Sequence, residues 1–136
     1  MALLTAAPTT TTVETVSAAH ATQIPASLGL VAGEALLAAA PCYIKAGDGK
    51  VYMSNGTAAN EAAELDGFTG KTYASGDPVT LWGRGAIFQY GVELTPGAPY
   101  FIGATAGRLD TAATTGDAVG VARSISATHI RITRDN

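Results

Sequence analysis

Two stretches of the chain, residues 33–51 and 91–109, align without a gap at an offset of 58 residues. Identical pairs are Gly33/Gly91, Leu36/Leu94, Ala40/Ala98, Pro41/Pro99, Ile44/Ile102, Ala46/Ala104 and Gly49/Gly107. Tyr43/Phe101, Lys50/Arg108 and Val51/Leu109 are conservative pairs. Both copies describe one local shape. A strand ends near the leucine and a turn comes next. Proline then opens a new strand, where its missing N–H does no harm, and glycine closes a hairpin. The segments after each copy correspond more loosely: Leu65–Gly70 with Ala118–Ala122, and Pro78–Trp82 with His129–Thr133. Two copies are too few for a solenoid or propeller. The repeat therefore predicts two similar β-units packed into one small barrel or sandwich.

The rest of the pattern agrees with an all-β domain. Short apolar runs at 28–37, 41–46, 50–53, 65–70, 78–82, 85–90, 99–103, 107–110, 118–124 and 128–134 are separated by turn signals. Asp48-Gly49 between two apolar runs marks a hairpin, and Ser75–Pro78, Thr95–Pro99 and Thr115–Asp117 mark further turns. At the end, His129, Arg131 and Thr133 alternate with Ile130 and Ile132, which gives a strand with one wet or partner-facing side. The Ala/Glu-rich segment 57–64 is expected to form at most a short helix, capped by Thr57.

Residues 1–26 differ in character from the remainder of the chain. Thr9–Thr12 and the Ala/Thr-rich stretch beyond it are small, polar and low in complexity. Such a segment buries too little area to offset the entropy of ordering itself. It reads as an extended N-terminal arm before a single β-domain over 27–136: either a frayed tail or an arm that orders on a neighbour, for example by strand addition. Val13, Val16 and Ile24 are its candidate contacts. The start of the chain has no basic region and no long apolar core, so no secretory signal is expected. No apolar run approaches the ~20 residues of a membrane span.

Charged residues make up only 14% of the chain, against about 25% in an average protein. A surface this neutral suits a protein that lies against other protein. The 8 basic and 11 acidic residues give a net charge of −3, and the basic ones are scattered along the sequence. Direct nucleic-acid binding, which needs clustered positive charge, is not expected. The single cysteine, Cys42, rules out an intrachain disulfide and reads as a small buried hydrophobe.

No motif for bond-making chemistry emerges. His20 and His129 share no metal-ligand spacing with each other or with acids, and no serine lies in a nucleophile motif. Asp48, Asp66, Asp77, Asp110 and Asp117 fall mostly in turns, where aspartate bonds its own backbone. Neither cofactor nor metal is expected, and the chain reads as a non-enzyme. The aromatics Trp82, Phe88, Tyr90, Tyr100 and Phe101 read mainly as core, with Trp82 and Tyr90 as candidates for a subunit interface.

One ordered set of segments runs from about Leu30 to Arg134: Val31–Leu36 followed by Pro41–Ile44, Lys50–Tyr52 with Asn55–Asn60, Asp66–Phe68, Pro78–Gly83, Leu94–Gly97 with Pro99–Ile102, and Gly107–Leu109. In these segments and their order the sequence resembles the small capsid decoration (cement) proteins of tailed bacteriophages. The resemblance implies a compact barrel or β-tulip-like sandwich and homotrimers seated on the major capsid protein. It also implies an arm reaching over the shell, and a place on the virion exterior after synthesis in the bacterial cytoplasm. A phage tail, baseplate or fibre component is an alternative reading. A second is a carbohydrate-binding β-domain, which would need an exposed aromatic platform such as Trp82–Tyr90.

Overall fold

The computed structural model describes residues 23–58, 60–90 and 94–133. Their strands are β1 (Gln23–Ile24), β2 (Pro41–Ile44), β3 (Val51–Met53), β4 (Gly67–Thr69), β5 (Leu81–Trp82), β6 (Ile87–Gln89), β7 (Pro99–Ile102), β8 (Leu109–Asp110), β9 (Ala122–Ser124) and β10 (His129–Ile132). They form two five-stranded antiparallel sheets, an all-β sandwich rather than a closed barrel. The first sheet has the order β1-β5-β4-β2-β3, and the second has the order β6-β10-β9-β7-β8. Adding five to each strand of the first gives the second, so the two halves of the chain share one topology.

The register shows the same duplication. Tyr43 faces Tyr52 and Ile44 faces Val51 in the first hairpin. Phe101 faces Asp110 and Ile102 faces Leu109 in the second, each position 58 residues on. Hairpin glycines Gly49 and Gly107 both take positive φ, at 71° and 79°. The looser parts of the repeat need correction by two residues. Pro41 pairs with Phe68 as Pro99 pairs with Arg123, so β4 corresponds to Ala122–Ser124. Through β4, Leu81 and Trp82 correspond to Ile130 and Arg131. An even slip keeps every side chain on its own face, which is why the apolar pattern alone does not reveal it.

Three other expectations are revised. The run 28–37 is not a strand. It opens with a 3-10 turn at Ala26–Leu28 and meets the sheet through a single parallel bridge, Ala32 to Val51 of β3, while Val31 and Leu36 bridge Pro78 and Tyr73 in the chain's connections. The segment 57–64 contributes one 3-10 turn, Glu61–Ala63, and Asn60 rather than Thr57 caps it by accepting from the Ala62 N–H at 3.0 Å. Ile24, expected in the arm, lies in β1, where it pairs with Leu81 and packs against buried side chains. Val13 and Val16 lie outside the described residues. The remaining runs are strands with shorter ends.

Packing shows how the two units meet. One face of the first sheet carries Cys42, Val51 and Leu81, covered by Ala32, Leu36 and Val79 of its own connections. Its other face sends Phe68 and Trp82 into a second cluster. There they meet Phe88, Tyr100, Ile102, Ile130 and Ile132 from the second sheet, with the Phe68 and Phe88 rings 6.2 Å apart between centroids. The first sheet is therefore a middle layer, covered on one face by its own connections and on the other around Phe68 and Trp82. By the strand equivalence, the second sheet buries the face that corresponds to Cys42 and Leu81. Opposite faces of equivalent units are in contact.

Two substitutions test this account. Phe68→Ala removes the aromatic ring between the layers and should cost about 3–5 kcal/mol in urea unfolding. Gly97 has φ 83°, and a Cβ added there would meet only the Arg123 guanidinium, at 3.7 Å. Its counterpart Ala39 is the one described non-glycine residue with positive φ. Gly97→Ala should therefore cost only the left-handed backbone strain, about 1–2 kcal/mol.

Candidate functional site

The carboxylates hold the scaffold together. Asp66 accepts from the Ile44 N–H at 2.7 Å, and Asp117 accepts from the equivalent Ile102 N–H at 2.8 Å. Asp117 also takes the N–H groups of Gly120 and Val119, at 2.8 and 3.2 Å. Asp48, Asp77, Asp110, Glu34 and Glu61 likewise accept backbone N–H groups, of Lys50, Ala74, Ala112, Met53 and Ala46. These acids replace ladder or turn partners that the short strands lack. Among the described residues, no group of three or more His, Cys, Asp or Glu is placed to hold a metal ion. None of the helical segments among them is long and apolar enough to cross a membrane.

Trp82 and Tyr90 do not form a platform. Tyr90 is 1% exposed, and burial pushes its phenol up while the Leu109 backbone and Arg108 oppose that rise. Trp82 is half-buried against the same core. Both side chains are thus engaged within the chain. A paired aromatic surface that reaches solvent lies on the first hairpin. Tyr43 and Tyr52 face each other with ring centroids 6.0 Å apart, and Lys45 Nζ lies 5.2 Å from the Tyr52 ring. The Tyr52 hydroxyl donates to Asp48 at 2.6 Å, which raises the phenol and lowers the carboxyl.

The outer face of the second sheet is the other exposed feature. Arg131 stands directly opposite Arg123 across β9 and β10, and Ile87 flanks Arg131 on β6. Pro99 flanks Arg123 on β7. Directly opposed like charges destabilise an antiparallel pair. The Arg123 Nε donates to the Gly97 carbonyl at 2.9 Å, which fixes that guanidinium. Beside the pair, Arg84, Gly85, Arg131, Ile132 and Thr133 line a cleft of about 370 Å³. Basic residues that are scattered in sequence therefore meet in space. The signal was present in the period-two alternation of 129–133, but the register that sets Arg123 against Arg131 is a long-range fact.

Fold and surface together define a duplicated all-β sandwich protein with one exposed basic sheet face. Compared with known proteins, the chain matches no family model and none of the curated proteins.

Cys42 is fully buried, and burial, reinforced by the nearby Glu34 charge, pushes its thiol well above the ordinary range. A disulfide exchange reagent should therefore modify Cys42 only as fast as the protein unfolds; rapid reaction in native buffer would contradict the packing. Asp117→Ala should cost at least about 1.5–3 kcal/mol, because it strips a charged acceptor from three backbone donors.

Proposed function

We propose that this protein is a structural, non-catalytic component of a tailed-phage virion that binds the outer surface of the capsid and stabilises it. One observation supports this reading most. The second unit covers the Phe68–Trp82 part of the first sheet, yet the equivalent Arg123–Arg131 part of the second sheet is left in solvent. A sheet face left open in this way, on a protein seven of whose carboxylates are tied to its own backbone, fits a binding module. The resemblance of residues 30–134 to capsid decoration proteins supplies the partner.

The mechanism is linkage. A protein that binds only the assembled lattice stabilises it by mass action. A standard interface of ~800 Å² per partner, repeated around a shell, opposes the outward pressure of packaged DNA. Association into homotrimers brings several weak contacts together at high effective concentration. Residues 1–22, with Val13 and Val16, add arm contacts to the major capsid protein; Ile24 stays with the body.

Electron microscopy of the particle should find the protein on the outer shell. A chain lacking residues 1–22 should keep its cooperative unfolding transition while capsid occupancy falls severalfold. Location on the tail or baseplate would overturn the reading in favour of the tail-component alternative, and undiminished occupancy would remove the arm from the mechanism.

A further inference from the structure

We propose that the outer face of the second sheet is a docking site for a carboxylate-bearing protein surface, with Arg123 and Arg131 as anchors and the cleft beside Arg84 receiving an acidic side chain. The inference rests on the reading of this chain as a binding module, and it names the chemistry of the partner.

The duplication itself shows what this face is for. Arg123 and Arg131 occupy the positions held in the first unit by Phe68 and Trp82. In the first unit that face is covered, and its cover is apolar: Phe88, Ile130 and their neighbours. In the second unit the same two positions carry guanidinium groups. An apolar cover would leave both charges buried without partners, which is strongly unfavourable. A cover that brings carboxylates would satisfy them, and the planar guanidinium fork matches a carboxylate with two parallel hydrogen bonds.

Among the described strand residues, one acid shares this face: Asp110, opposite Phe101 on β8, which is 1% exposed and lies outside the direct and diagonal neighbours of the arginine pair. The direct neighbours of Arg131 are Arg123 and Ile87, and those of Arg123 are Arg131 and Pro99. Two residues along the paired strands, the diagonal neighbours are Gln89, Gly85, Val121, Ile125, His129, Thr133, Gly97 and Phe101. None is acidic. The arginine pair therefore has no acid at any direct or diagonal position, and an anion that docks there relieves it.

Protein is favoured over nucleic acid as the source of that anion. Three arginines flanked by Ile87, Pro99 and Phe101 make a short basic patch with an apolar rim, on a chain of net charge −3. Tracking a phosphate backbone takes a longer run of cations, each neutralising a phosphate. Interfaces between proteins are enriched in arginine set among apolar side chains.

The test is an NMR titration of the full chain, isotope-labelled, with a hexaglutamate peptide and separately with duplex DNA at equal charge concentration. Hexaglutamate should shift the amides of residues 84–87, 123 and 129–133. The shifts should weaken at least tenfold in R123Q/R131Q, and R131K should fall in between because lysine lacks the fork. Removing the opposed charges should not lower the melting temperature of R123Q/R131Q, so lost binding is separable from lost folding. Hexaglutamate shifts that are absent, spread elsewhere, or unchanged in R123Q/R131Q would overturn the proposal, as would tighter binding to DNA at this face. Failure of the chain to bind capsids, with the hexaglutamate response intact, would remove the capsid reading and leave this one standing.

Discussion

The fold depends on the contact between Phe68 of the first sheet and Phe88 of the second. The second unit has one strongly apolar face, built from Phe88, Tyr100, Ile102, Leu109, Ile130 and Ile132, all buried. Its own connections do not cover that face alone. Phe68, Leu65 and Trp82 of the first unit complete the cover. At about 25 cal/mol per Å² of apolar surface removed from water, aromatic rings between layers are the largest single contributions a domain this small has available. Without them each unit would be a thin sheet of two- to four-residue strands, too short to stand by itself.

That arrangement accounts for how much of the fold was legible in the sequence. The stretches 33–51 and 91–109 carry the hairpins, and hairpin shape is local: proline opens the strand, glycine at positive φ closes the turn, and both leave marks in sequence. The 58-residue offset survives unchanged in the hydrogen-bond register. The strands after each hairpin are positioned by packing, and there the alignment slipped by two residues. Residues 28–37 look like a strand because they are apolar, yet their task is to roof the first sheet, and Gly29, with φ 90°, ends the preceding turn in a left-handed conformation. Of the two aromatics read as interface candidates, Tyr90 is buried by its own chain while Trp82 is half-buried. Composition shows that an aromatic side chain will be buried; it does not show whether its own chain or a neighbour buries it.

The candidate surface was less legible still. Charge counted along the sequence is acidic and dispersed. In space the two signs separate by role. Seven carboxylates accept backbone N–H groups, and Asp110 and Asp117 are 1% exposed while doing so. Arg84, Arg123 and Arg131 are exposed on one side of the second sheet. Net charge describes the field far from a protein. It says little about a face on which two guanidinium groups are exposed while the acid that shares it, Asp110, is buried.

Layers that meet through opposite faces have no intrinsic stopping point. A third unit could stack on the second just as the second stacks on the first, and a fourth on that, giving an open-ended heterologous assembly of the kind that grows into fibres. Two arginines where the preceding layer has phenylalanine and tryptophan end the series after two. The same pair of side chains thus marks where the apolar layer-on-layer contact of the two units does not repeat.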